Sequence, residues 1–345
     1  MNDQLNKAGI DALLQKSSLP SNVKMRISGS YQTEEAAQHV LRNVTFFLRV
    51  FGAYLNLAGV ESVSIADDHN AALAAIHKGD GVLALAPSND EFGTGFAVTA
   101  PVLRDGVLKS SIVFSSRLIQ VLNDPLHEKR RHAIHVLAHE SAHAHDLEVL
   151  RQSFPDSGKQ CNLDWKAQCL SQLANVCWSE YIASHLSSRW GTDDYCAEFE
   201  HQLCKTLANA MEKGSACIHD FRFHRNGRKT EAEIRNIFGR LLTRAAYLIG
   251  HIHGRGKTVA EMAPRYYRSV QETPWFKPIF ERYEANLKDM HATYGSWTSL
   301  DVFQPLLDTC EALMNAAGLQ YIQLADGSYS IALRQQQIIR ESSTS

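Results

Sequence analysis

Two histidines four residues apart are the side chains of this sequence best placed to bind a metal. His139 and His143 lie in the run AIHVLAHESAHAHDL, and Glu140 directly follows the first histidine. No proline or glycine interrupts residues 130–150, so this run can form a helix of several turns. Residues four apart lie on one helical face, and both imidazoles can therefore reach a single zinc ion. Glu140 is placed to take a proton from a zinc-bound water, which is the chemistry of metal-assisted hydrolysis.

A zinc ion held by two histidines needs a further protein ligand and an open position for water. The segment ANVCWSEYIASHLSS presents Glu180 on an otherwise apolar helix. A carboxylate in such surroundings is costly to bury unless it is paired or bound to a metal. We therefore predict Glu180 as the third ligand, and an exposed glutamate on the solvated face of the helix is the alternative.

Hydrolysis of a peptide bond also needs a donor that stabilises the oxyanion. Tyr247 and His251 are four residues apart and share one face of a predicted helix, so they are our candidates for this catalytic role. His219 and His224 are a second pair, but a spacing of five does not place them on one face. Packing or surface positions are the alternative for both pairs.

The residues before the motif predict the elements that must position its helix. Residues 33–57 carry apolar side chains at helical spacing, and Thr33 can cap the start of that helix. Short strands are predicted at 61–65 and 81–86, with a helix at 67–77 between them. Residues 95–114 predict a hairpin that turns at Asp105-Gly106. Its second strand, 107–114, is a candidate sheet edge for an extended peptide, and an internal strand is the alternative.

Beyond a polar loop at residues 151–163, the pattern is almost entirely helical. The predicted helices cover residues 164–188, 193–211, 230–251, 275–291 and 300–316. A second hairpin, turning at Asp326-Gly327, is predicted within residues 319–333.

The composition is that of a globular protein and argues against several function classes. Hydrophobic residues make up 44% and charged residues 21% of the 345 residues, with a net charge of −2. A net charge this small does not attract nucleic acid or an anionic membrane electrostatically, so we expect neither as a partner. A basic run beside aromatic residues at 221–229 leaves nucleic-acid binding as a third interpretation, although such runs are usually solvated helix ends.

The seven cysteines include no C-x-x-C pair, so we expect buried thiols rather than disulfides or a thiolate zinc site. The N-terminal residues lack the apolar core of a signal peptide. The most apolar early run, residues 45–60, is too short to span a bilayer. A cytoplasmic location is therefore expected.

The pattern V-x-x-H-E-x-x-H followed by E-x-x-A/S resembles the gluzincin group of zinc metallopeptidases. Its elements here are Val136, His139, Glu140, His143, Glu180 and the pair Ala183-Ser184. The upstream run IVFSSRLIQVLND is similar to the corresponding run of the heat-shock and CAAX-type membrane metallopeptidases. The sequence also resembles the soluble ImmA/IrrE-type regulatory proteases. The resemblance covers residues 96–188.

Other zinc-peptidase patterns match this sequence in part. The metzincin pattern would need a glycine at the position of Asp146, so that assignment fails. The aspzincin pattern takes its third ligand from a G-T-x-D segment, and Asp194 in the run GTDD stays open as a rival to Glu180. Ser184 stands where many gluzincins carry an aspartate that orients a ligand histidine, so Asp146 becomes our candidate for that role.

The residue patterns predict an α+β protein with a small mixed sheet and the active-site helix in its N-terminal lobe and a mostly α-helical C-terminal lobe. The resemblance implies that the N-terminal lobe is zincin-like. The expected organisation is an N-terminal extension (1–30), the zincin-like lobe (31–155), a helical lobe that supplies the third ligand (156–318) and a C-terminal hairpin with a polar tail (319–345). The implied function is a zinc metalloendopeptidase with Zn²⁺ as cofactor and a protein or peptide as substrate. A non-catalytic zinc-binding regulatory or interaction protein is the alternative.

Overall fold

The structure, a computed structural model, describes residues 7–31, 33–77, 79, 89–90, 93–94, 97–155 and 163–334. The chain forms two compact units. The first comprises Met1–Gln160 and Ile182–Thr192, and the second comprises Cys161–Tyr181 and Asp193–Ser345. Helices and a mixed sheet are both present, so the predicted α+β class is confirmed.

The first unit combines a four-stranded sheet with helices. Its strands are β1 (Lys24–Ser28), β2 (Val60–Ala66), β3 (Asn89–Asp90), β4 (Gly93–Thr94), β5 (Ala97–Arg104) and β6 (Val107–Ser115). Its helices are α1 (Lys7–Gln15), α2 (Glu34–Gly52), α3 (His69–Ala74), α4 (Ser116–Ile119) and α5 (Arg130–Ser153). The sheet order is β1–β2–β6–β5, in which β1, β2 and β6 are parallel and β5 is antiparallel to β6. Strands β3 and β4 form a separate pair.

Two features of this sheet depend on pairing between segments that are distant in sequence. Strand β1 lies within the predicted N-terminal extension, yet it pairs with β2 along its whole length. Strand β6 lies between β2 and β5, so the internal-strand alternative for residues 107–114 is confirmed, and β5 is the end strand on that side of the described sheet. Parallel partners are far apart in sequence, and local patterns do not reveal them. The strand predicted at 81–86 lies outside the described residues.

The hairpin that joins β5 to β6 is confirmed. Arg104 pairs with Val107, and the turn between them has positive φ values at Asp105 (51°) and Gly106 (77°). A turn with positive φ at both central residues is the type that Asp-Gly favours. Glycine has no Cβ to clash in this conformation, and aspartate tolerates it.

The predicted N-terminal cap and buried face of helix α2 are confirmed. The Thr33 side chain accepts a hydrogen bond from the backbone N–H of Ala36 at 3.1 Å, as expected for a helix start. Val40, Val44 and Leu48 are fully buried and join the core of this unit. Helix α5 enters the same core mainly through small residues, namely Ala133, Ala138, Ala142 and Ala144 with Leu137. Small side chains let this helix lie close to the strands that it covers.

The second unit is mostly helical, as predicted. Its helices are α6 (Trp165–Ser187), α7 (Asp194–His224), α8 (Gly227–Gly254), α9 (Val259–Met262), α10 (Pro264–Gln271), α11 (Lys277–Ala292) and α12 (Gln304–Ala316). The last turns of α6 belong to the first unit. Strands β7 (Leu319–Gln323) and β8 (Tyr329–Leu333) form the predicted C-terminal hairpin. Helices α9 and α10 were not predicted.

Helix α7 is longer than predicted because it continues through Gly214. A Cβ at that position would lie 2.6 Å from the ring of Phe238 on α8, so the missing side chain makes room for the neighbouring helix. The glycine therefore serves packing rather than ending the helix.

Within the described residues, no helix is both long and apolar enough to cross a membrane.

Candidate metal centre

Helix α5 places both histidines of the H-E-x-x-H motif on one face. The Nε2 atoms of His139 and His143 are 3.1 Å apart, and the two rings are nearly perpendicular. His139 is 9% exposed and His143 is half-buried, so the pair borders the protein interior. The predicted one-turn spacing is therefore realised in the folded helix.

Helix α6 brings a carboxylate to the same place. His139, His143 and Glu180 each offer a ligand atom, and these atoms all lie within 4.8 Å of one another. Glu180 is half-buried and lies two residues before the turns of α6 that join the first unit. Asp194, the rival ligand, is the first residue of α7 and is not a member of this group.

The spacing of the two histidines fits a zinc ion. Zinc–nitrogen bonds of about 2.0–2.1 Å at tetrahedral angles place two ligand nitrogens roughly 3.3 Å apart. The observed separation of the two Nε2 atoms, 3.1 Å, is close to that value. Two imidazoles and one carboxylate are also a ligand set that catalytic zinc sites use, with the fourth position left for water.

Glu140 directly follows His139 on α5 and is 7% exposed. The Thr99 hydroxyl lies 2.8 Å from the Glu140 Oε2 atom and 2.9 Å from its main-chain oxygen. In the part of the chain that the structure describes, no Lys, Arg or His nitrogen pairs with this carboxylate. Thr99 was not identified from the sequence, because a single threonine on a hairpin strand carries no signal of a contact with a distant helix.

The other histidines near the motif have structural contacts. The Asn56 backbone N–H donates to Nδ1 of His145 at 2.8 Å, and burial lowers the pKa of this imidazole. His135 is buried, and its Nε2 atom lies 3.4 Å from the Ser187 hydroxyl at the end of α6. This contact joins α5 to α6 within the first unit. Asp146, the candidate for orienting a ligand histidine, is 2% exposed on α5.

Tyr247 and His251, the predicted oxyanion donors, lie on α8 and pack against α7. The Tyr247 ring stacks on Phe199 at 5.6 Å, and the His251 ring lies 5.8 Å from the ring of Tyr195. Burial, with a contribution from the charge of Arg255, lowers the pKa of His251 to about 4, so this imidazole is neutral at pH 7. His251 is not a member of the metal-ligand group of the described residues, and the catalytic role of this pair stays a prediction.

Comparison of this chain with protein-family models, with curated proteins and with solved structures finds no match.

Proposed function

We propose that this protein is a zinc-dependent metallopeptidase with a zincin-like first unit. One observation carries the proposal, namely that His139, His143 and Glu180 bring ligand atoms within 4.8 Å of one another. Glu140 directly follows His139 on α5. A carboxylate that is buried without a cation is costly, and a metal ion bound nearby would offset that cost for Glu140.

The residues of the group have distinct roles in the proposed reaction. His139 and His143 would hold the ion through their Nε2 atoms and Glu180 through a carboxylate oxygen. A bound zinc ion supplies Lewis acidity, which polarises a carbonyl and makes water more acidic. Glu140 accepts a proton from the attacking water on its carboxylate and later donates it to the amine that leaves. Tyr247 and His251 are retained as the proposed donors to the oxyanion.

A protein or peptide is the proposed substrate. Strand β5 is an end strand of the described sheet, and its Thr99 contacts Glu140, so an extended peptide added beside β5 would lie near the proposed base. We propose the cytoplasm as the location, because the six cysteines of the described residues are free thiols, as is usual in a reducing compartment.

The decisive experiment compares wild-type protein with His139→Ala and Glu140→Gln. We expect wild type to contain about one zinc ion per chain by elemental analysis and to generate new N-termini in a denatured protein mixture, detected by mass spectrometry. The His139→Ala variant should lose both zinc and hydrolysis. The Glu140→Gln variant should keep zinc and lose hydrolysis, because an amide cannot accept the proton.

The alternative, a non-catalytic zinc-binding regulatory or interaction protein, predicts a different result. Zinc would again depend on His139, but wild type and Glu140→Gln would behave alike towards every substrate. Absence of zinc from wild-type protein purified without chelators would contradict both functions.

A further inference from the structure

Thr99 is the residue through which the sheet contacts the proposed base. It lies on β5, where it pairs with Ile112 of β6, and it is half-buried. Its Oγ1 atom is within 2.9 Å of two acceptors, the Oε2 atom and the main-chain oxygen of Glu140. Both acceptors belong to one residue, so the hydroxyl links the side chain of Glu140 to a fixed point of α5.

Among the described residues, the carboxylate of Glu140 has no ion pair and one hydrogen-bond partner. The Thr99 hydroxyl is the only hydrogen-bond partner of the Glu140 side chain there. A glutamate side chain has three rotatable bonds, and it loses its preferred position when such a partner is removed. Misplacement of a catalytic group by about 1 Å can reduce a rate on the order of 100-fold.

We propose that Thr99 is a positioning residue that holds the carboxylate of Glu140 in the orientation of a general base. This inference rests on the proposed function. While Glu140 is ionised, the Thr99 hydroxyl donates to Oε2. Once Glu140 has accepted a proton on Oε1, its Oε2 atom remains an acceptor and keeps the hydrogen bond from Thr99. The pair therefore remains hydrogen-bonded on both sides of the proton transfer.

The test compares Thr99→Val, which keeps the shape and removes the hydroxyl, with Thr99→Ser, which keeps the hydroxyl. Thr45→Val is the matched control, since the Thr45 hydroxyl also donates to a helix carbonyl, that of Leu41 at 2.8 Å. We expect Thr99→Val to lower kcat about 10–100-fold with KM nearly unchanged. Thr99→Ser should restore most of kcat, and Thr45→Val should leave it unchanged.

Two further measurements separate this proposal from the proposed function. Zinc content should be equal in all the variants, because Thr99 binds no metal. Crystal structures should show the Glu140 carboxylate displaced in Thr99→Val and restored in Thr99→Ser, a result that does not depend on hydrolysis. A wild-type kcat in Thr99→Val, or an unmoved carboxylate in its crystal structure, would overturn the positioning role even if the protein is a peptidase. If wild type hydrolyses nothing, the proposed function fails, and the crystal structures still decide the role of Thr99.

Discussion

Helix α5 carries two buried glutamates, Glu140 and Glu148, whose carboxylates have different hydrogen-bond and ion-pair partners. Glu148 is 4% exposed, and Arg151 Nε and Gln152 Nε2 donate to its carboxylate at 2.9 and 2.8 Å. Burial opposes ionisation of Glu148, but these hydrogen bonds and the charge of Arg151 outweigh it, so its pKa lies below the usual value. Glu140, two turns earlier, is 7% exposed and has only the Thr99 hydroxyl among the described residues.

This difference separates a glutamate that stabilises the fold from the proposed general base. Glu148 already has a cation and two donors, so a reacting proton would have to displace them. Glu140 has one neutral hydrogen-bond partner among the described residues, and it directly follows His139, whose Nε2 atom is 3.1 Å from that of His143. Burial alone therefore does not identify a reactive carboxylate, and what pairs with it does.

The largest expected effect is on hydrolysis and compares the two glutamates directly. Glu140→Gln should lower kcat/KM by about 10²–10⁴-fold, the usual contribution of a general base. Glu148→Gln, the matched control on the same helix, should stay within about threefold of wild type, since its partners are structural. Steady-state kinetics of the two variants provides the measurement. Equal losses in both would show that burial on α5, rather than chemistry, accounts for the effect.

The second prediction concerns zinc affinity. Glu180→Gln should weaken zinc binding more than about 100-fold, beyond the 10–100-fold typical of groups that only support a ligand. Asp194→Asn should leave the affinity unchanged, because Asp194 is outside the ligand group. Competition with a chromogenic chelator measures both dissociation constants. The reverse pattern would make Asp194 the third ligand.

The third prediction concerns the pKa of a buried histidine and its effect on stability. His251 is 1% exposed, and its pKa in the folded protein is about 4. The unfolded chain, with a pKa near 6.5, binds more protons between these values, so the folded protein loses stability as pH falls from about 6.5 to 4. The loss attributable to His251 is about 3 kcal/mol at most. Titration of the imidazole C–H signals by NMR checks the pKa, and a value near 6.5 would contradict it.

The smallest expected effect is on the stability supplied by Glu148. Glu148→Gln should lower the free energy of unfolding at pH 7 by about 1–3 kcal/mol, because it removes a charged acceptor from Arg151. The pKa of Glu148 is lowered by folding, so this contribution is full above the unfolded value near 4.5 and is lost as pH falls below it. Urea unfolding of wild type and variant should therefore converge at low pH. A constant difference at all pH values would show that packing, not charge, is responsible.

The sequence by itself determined the features that depend on nearby residues. The spacing of His139 and His143 places two imidazoles on one face of any helix, and Asp105-Gly106 predicts its turn from local backbone preferences. The helical pattern of α2 and its cap at Thr33 are confirmed for the same reason. Glu180 was predicted as a metal ligand because a carboxylate on an apolar helix is costly to bury unless it is paired or bound to a metal.

Only the tertiary structure decided which distant segments meet. Strand β1 joins the sheet through a parallel partner more than thirty residues away, as the pairing of Lys24 with Ser62 shows, and β5 rather than β6 lies at the end of the sheet. The contact of Thr99 with Glu140 likewise depends on how β5 and α5 pack. Such contacts depend on the burial of whole faces against one another, and no spacing within a single segment encodes them.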